Sequence, residues 1–121
     1  MDTKPEVALR SAIHRRGLRF RKNYLIRLHG LRVRPDVVFT RRRVAVFLDG
    51  CFWHCCPDHS STPRRNVGYW LPKLQANVER DRRVDVALEA EDWTVMRFWE
   101  HDEADRAAEL VAAVVRASQA R

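Results

Sequence analysis

Long apolar runs are missing from this chain of 121 residues, and so is most of the lysine: three lysines stand against twenty arginines. No stretch approaches the ~20 apolar residues needed to span a bilayer. The polar N-terminus has no signal-peptide core, so the expected compartment is the cytoplasm. Cysteine is absent outside positions 51–56. Three cysteines crowded into six positions make a poor disulfide framework, and in a reducing compartment Cys mixed with His reads more naturally as a metal site. Internal repeats and Pro- or Gly-rich linkers are also lacking. One domain over residues 1–121 is therefore expected, large enough for a real core but too short for a second.

What remains is a folded, strongly basic chain. Its hydrophobic content is 45%, its formal net charge +7 and its sequence pI about 10.1. That excess points to a polyanionic partner, nucleic acid first. Arginine offers phosphate a planar bidentate fork, although a genome rich in Arg codons would give the same preference over lysine without explaining the excess of positive charge.

Along the chain, Thr3, Pro5 and Glu6 form a helix start, with Thr3 as N-cap, Pro5 in the first turn and Glu6 closing a capping box. The helix is expected to run to about residue 16 and stop at Gly17. A strand is expected near residues 24–28. "DVVFT" after Pro35 and "VAVFL" from Val44 are almost wholly apolar, β-branched or aromatic, as in strands covered on both faces. The short polar connection makes them a hairpin. Residues 55–69 read as a loop and about 72–90 as a helix with Leu74, Val78, Val84 and Leu88 on one stripe. "TVMRFW" reads as a third core strand and about 104–118 as a last amphipathic helix. The order gives an α/β fold, a mixed sheet flanked by helices.

Chemistry concentrates around "VAVFLDGCFWHCCPDHSS", residues 44–61. Asp36 stands at the front of a buried strand, where it serves either as an oxygen ligand for a divalent cation or as a turn cap. The hairpin brings residue 36 close to 48 and 49, and His54 follows Asp49 closely. A carboxylate with a nearby imidazole is the minimum for metal-assisted hydrolysis. Asp81 falls on the apolar stripe of its helix, so it needs a partner: a histidine to orient, or one of the nearby arginines. Glu6 shares a face with Leu9 and Ile13, although the capping box alone would explain it. Cys51, Cys56 and His59 have the spacing C-x4-C-x2-H, three ligands of a kind zinc accepts, with His101 as the candidate fourth and Cys55 as its competitor. Simple packing of buried thiols is the plainer alternative. Phe52, Trp53 and Trp70, near Arg64 and Arg65, suit stacking on or wedging between bases, against the plainer role of core packing.

"RPDVVF", "VAVFLDGCFWHCCPDH", "YWLPKLQANVERDRR" and "ALEAEDWTVMRFWEH" together resemble the very-short-patch repair endonucleases, bacterial DNA mismatch nickases related to the PD-(D/E)xK nuclease fold. The likeness spans about residues 3–102. It implies a Mg²⁺-dependent single-strand cut 5′ to the T of a T:G mismatch in double-stranded DNA, a lesion left by deaminated 5-methylcytosine. It also implies roles. Asp36 and the backbone carbonyl of Leu48 would hold Mg²⁺, and Glu6 and Asp49 would hold metal-bound waters. His54 would be the general base, hydrogen-bonded to Asp81. Cys51, Cys56, His59 and His101 would bind a structural Zn²⁺. Phe52, Trp53 and Trp70 would enter the base stack. Asp49 stands where some relatives have His, and Cys55 where many have Gly. The family usually carries a further DNA-gripping stretch ahead of the Thr-x-x-Glu start, where this chain begins, and the expectation is that it is missing here.

A monomer is expected, since one nick needs one active site; recruitment by repair proteins is left open. Two other readings stand beside mismatch repair: a related nickase with a relaxed or different target, linked to defence or restriction, and a zinc-stabilised DNA-binding module that does not cut.

Overall fold

The computed structural model describes residues 4–28, 30–49 and 67–118, without the side chains of 67–74. Its elements are α1 (Lys4–Arg15), β1 (Ile26–Leu28), β2 (Leu31–Val33), β3 (Val37–Phe39), β4 (Val44–Asp49), α2 (Val67–Ala90), β5 (Thr94–Trp99) and α3 (Ala104–Ala117). Among the described residues this is a mixed α/β structure of three helices and two small sheets, and no helix there is long and apolar enough to cross a membrane.

Helix α1 has Glu6 in its first turn and His14 and Arg15 in its last, the arrangement that the helix dipole favours. It ends where Gly17 takes φ +77°, with the Gly17 N–H donating to the His14 carbonyl at 3.0 Å. Glycine is the residue that enters this left-handed region without a Cβ penalty. Thr3, the expected N-cap, lies outside the described residues.

Strands β3 and β4 form the expected antiparallel hairpin, in register Val37↔Val46, Val38↔Ala45 and Phe39↔Val44. Strand β5 joins β4 in parallel, from Val44↔Thr94 to Asp49↔Trp99. A parallel pair needs a crossover, which α2 supplies. Ahead of the small β1–β2 hairpin, Arg21 forms an isolated antiparallel bridge with Val38 at the edge of β3.

Alternation along the strands divides the core into two layers. Val37, Phe39, Val44 and Val46 pack against Leu9, Ala12 and Ile13 of α1 and Ala107, Ala108, Val111 and Val115 of α3. On the other face, Val38 and Ala45 pack with Leu88 of α2 and with Ile26 and Val33 of the small hairpin. Each large aliphatic side chain so buried contributes roughly 1.5–3 kcal/mol. Leu88 of α2 and Ala107, Val111 and Val115 of α3 thus use their expected stripes against a sheet covered on both sides, whereas Leu110 is exposed and the Leu74 side chain lies outside the described residues.

Two boundaries differ from the sequence reading. The strand expected at residues 24–28 is shorter, and its return strand β2 was not anticipated; Gly30, at φ +77°, supplies the turn conformation that a tight hairpin demands. Helix α2 begins at Val67, ahead of Pro72, and takes in part of the stretch read as loop. Proline favours the first turn of a helix but is tolerated further in at a cost, so it marked the start too late.

Candidate active site

The C-terminal end of β4 gathers ionisable groups on both faces of the sheet. On the α1 side, Asp36 immediately precedes β3. Its N–H donates to the Val46 carbonyl at 3.0 Å, and the Leu48 N–H donates to its Oδ2 at 2.6 Å. Pro35 is fully buried just ahead of it. The hairpin register therefore fixes both the main chain and the carboxylate of Asp36.

Glu6, one turn into α1, is hydrogen-bonded to Asp36 through the two side chains. Burial pushes the Asp36 carboxyl up to about 6; the Leu48 N–H opposes the shift, the hydrogen bond and charge of Glu6 add to it, and the charge of Arg10 opposes it. Two carboxyl groups so close disfavour each other's ionised forms, and a cation between them would relieve that repulsion. Arg10, one turn after Glu6, donates from Nε and Nη2 to the main-chain carbonyl of Asp36 at 3.2 and 2.9 Å, and its Nη1 lies 3.9 Å from Glu6 Oε2.

On the α2 side, Asp49 ends β4 with 8% exposure. Its Oδ1 and Oδ2 accept from Arg97 Nη1 at 3.0 and 3.3 Å. Arg97, from β5, also grips Asp85 of α2: Nε lies 2.9 and 3.1 Å from its two oxygens and Nη2 2.7 Å from Oδ1. Asp81 Oδ1 is 3.8 Å from Arg97 Nη1. The guanidinium stacks over the Phe47 ring, 4.2 Å from its centroid. Burial disfavours the charged guanidinium, but the Asp85 hydrogen bonds and the charges of Asp49, Asp85 and Asp81 outweigh it, so its pKa rises further. These groups line a cleft of about 220 Å³ together with Val78 and Trp99.

His101 follows β5 at the same end of the sheet. Asp102 accepts the Trp99 N–H at 2.8 Å, and its Oδ1 lies 3.8 Å from His101 Nε2. Among the described residues, no group of three or more His, Cys, Asp or Glu is arranged to hold a metal ion.

The structure thus brings Glu6, Asp36 and Leu48 together, and separately gathers Asp49 and Asp81 around Arg97. Cys51, Phe52, Trp53, His54, Cys55, Cys56, His59, Arg64 and Arg65 lie outside the described residues. Trp70 lies on α2, its side chain likewise outside. Sequence reasoning missed Arg10, Asp85 and Arg97. Signals existed for all three: Arg10 and Asp85 sit four residues after Glu6 and Asp81, and Arg97 alternates with Val95 along an otherwise apolar strand.

The family model of the DNA mismatch endonuclease Vsr matches residues 1–60. The type II nicking enzyme V.NaeI of Lentzea aerocolonigenes is 58% identical over 114 residues, 93% of this chain and 67% of that one. The type II nicking enzyme V.XorIIP of Xanthomonas oryzae pv. oryzae is 40% identical over 108 residues, 86% and 74% of the two chains. The DNA mismatch endonuclease Vsr of Escherichia coli is 37% identical over 100 residues, 82% and 62% of the two. With likeness of this extent behind the paired acids of Asp36 and Glu6, the chain belongs to the Vsr family: it is a DNA-nicking endonuclease whose cleavage depends on metal.

Proposed function

We propose that this chain is a restriction-linked nickase, cutting one strand of duplex DNA at a target different from that of the mismatch-repair enzyme. The observation that carries the chemistry is the Glu6–Asp36 pair, with Asp36 held by the Leu48 N–H and its carboxyl pushed up to about 6. The relatives at 58% and 40% identity, both type II nicking enzymes, support the choice of target class.

The donor set suits a hard divalent cation. Two adjacent carboxyl groups that repel each other when ionised gain by sharing Mg²⁺, an ion that takes oxygen ligands. Asp36 and the Leu48 carbonyl would bind it, with Glu6 and Asp49 holding its waters. Mg²⁺ bound there would supply Lewis-acid polarisation of the scissile phosphate and would lower the pKa of water. The chain's own residues do the rest. His54 takes the proton of the attacking water, and Asp81 orients and charges the imidazole. Asp49 is already gripped by Arg97, yet a carboxylate oxygen has more than one lone pair and so keeps acceptor capacity for water. A structural zinc would be held by Cys51, Cys56, His59 and His101. Phe52, Trp53 and Trp70 wedge into the base stack while Arg64 and Arg65 meet phosphate. The sheet, covered on both faces with an acid at the start of β3, supports a PD-(D/E)xK-like core; we expect it to act as one domain and as a monomer, on DNA in the cytoplasm.

The second reading, very-short-patch repair at T:G mismatches, is favoured by the family model, which describes a mismatch endonuclease. End-labelled duplexes separate the two. One set carries T:G in a CC(T:A)GG-like context, a second carries T:G in other contexts, and a third is fully matched, each with and without Mg²⁺ and with Asp36→Ala as control. The restriction-linked reading expects Mg²⁺-dependent nicks in the second or third set. Nicks confined to the first set, 5′ to the mismatched T, would establish the repair reading instead. Binding without any cleavage would sink both.

A further inference from the structure

We infer that Arg10 is a positioning residue for the catalytic cation: it pins the main chain of Asp36 to α1 and steers the Glu6 carboxylate, so that the two acids meet. The inference rests on the reading of Glu6 and Asp36 as the cation-holding pair, and it assigns a role to a residue whose contacts are with that pair.

An arginine in a basic DNA-cutting enzyme is first suspected of gripping phosphate. Arg10 is a poor candidate for that, being only 9% exposed. It points instead into the junction between α1 and the start of β3. Nε and Nη2 converge on one acceptor, the Asp36 carbonyl, at 3.2 and 2.9 Å. The Asp36 N–H is meanwhile held by Val46 and its Oδ2 by the Leu48 N–H. Asp36 is therefore fixed from both neighbours, by β4 and by α1. The link to α1 matters because Glu6 arrives on that helix, one turn before Arg10 and 3.9 Å from its Nη1. The same side chain thus sets the spacing between the helix that brings one acid and the strand that brings the other. Lysine cannot reproduce this, since a point charge lacks the planar fork.

Electrostatics makes the role testable, because it predicts the opposite sign. As a mere nearby charge, Arg10 repels a divalent cation, and removing it should tighten cation binding. As a positioning residue, its loss should loosen the site. Groups that orient metal ligands typically cost about 10–100-fold in affinity when removed.

The experiment titrates the full-length, zinc-replete protein with Mn²⁺ in the absence of DNA, following free Mn²⁺ by electron paramagnetic resonance. Wild type, Arg10→Met, Arg10→Lys, Glu6→Gln and Asp36→Asn are compared, with DNA affinity in divalent-free buffer measured alongside. Arg10→Met is expected to bind Mn²⁺ about tenfold or more weakly, with DNA affinity unchanged, and Arg10→Lys to recover only part of the loss. Tighter or equal binding by Arg10→Met, with Glu6→Gln and Asp36→Asn still weakened, would overturn the role of Arg10 alone. Indifference of Mn²⁺ binding to Asp36→Asn would overturn it together with the cation-site reading. If Arg10→Met does not fold, Arg10→Lys decides: it keeps the charge and loses the fork, so binding equal to wild type overturns the inference and weakened binding supports it.

Discussion

Two acidic clusters lie at the same end of the sheet, one on each face, and they are built in opposite ways. Around Arg97 the guanidinium is spent on carboxylates: it touches Asp49 at 3.0 Å and Asp85 at 2.7 Å and lies 3.8 Å from Asp81. Around Asp36 the guanidinium of Arg10 is spent on a main-chain carbonyl. The carboxyl of Asp36 is left to share its site with that of Glu6, and it rises to about 6. The Arg97 cluster has the more acids, three against two, so counting charges alone would not single out the Asp36 pair. Where the guanidinium points decides the matter. One cluster is drawn together by a shared arginine, although three carboxylates against one guanidinium leave it negative. In the other, the Asp36 carboxyl faces that of Glu6 and is pushed up by burial, the kind of perturbation that gathers at working sites.

The largest expected effect is that of Asp36→Asn. Metal-supplied stabilisation amounts to several kcal/mol, so nicking should fall by about 10³-fold or more, with metal-free DNA affinity unchanged in a gel-shift assay. Asp49→Asn provides the contrast. It weakens the charged hydrogen bonds to Arg97 and the hold on metal-bound water proposed for Asp49, and we expect about 1–2 kcal/mol of lost stability and a smaller fall in nicking than for Asp36→Asn. An activity loss equal to that of Asp36→Asn would erase the distinction between the clusters.

Arg97→Met should be the most destabilising change. It leaves Asp49, Asp81 and Asp85 without their shared cation, which for half-buried groups is worth roughly 2–4 kcal/mol, measurable by urea unfolding. Next comes pH. In Mg²⁺-free buffer the folded chain binds a proton at Asp36 more tightly than the unfolded chain, about 6 against 3.8. Stability contributed by this site is present below about pH 4 and is lost as pH rises to about 6, with no further change above. Asp36→Asn should flatten that slope, whereas Asp85→Asn should leave it intact. Smallest is Arg15→Ala, which removes an exposed bridge to Asp105 between α1 and α3 and should cost under about 1 kcal/mol in thermal unfolding.

Much of this arrangement was legible in the sequence. Two apolar runs separated by three arginines specify the hairpin, and the hairpin alone brings Asp36 to Leu48. The stripe containing Asp81 shows that it faces inward, where its Oδ1 lies 3.8 Å from Arg97 Nη1; His54, the other partner weighed for it, falls outside the described residues. What was hidden is which arginines turn inward. Among twenty arginines, nothing in composition separates Arg10 and Arg97 from those on the surface; only the face of the helix and the alternation of the strand do so, once packing has chosen the buried side. The start of α2 was misread because proline's preference for a first turn is weaker than the helical register that surrounds it. The cysteine-rich stretch, where His54 and most zinc ligands would lie, falls outside the described residues.

The most direct test of the central contrast is a crystal of the protein soaked with Mn²⁺ and measured at the manganese absorption edge. The account predicts an anomalous peak between the carboxylates of Glu6 and Asp36 and none within the cluster of Asp49, Asp81 and Asp85. A peak inside the Arg97 cluster, with none at Asp36, would contradict it.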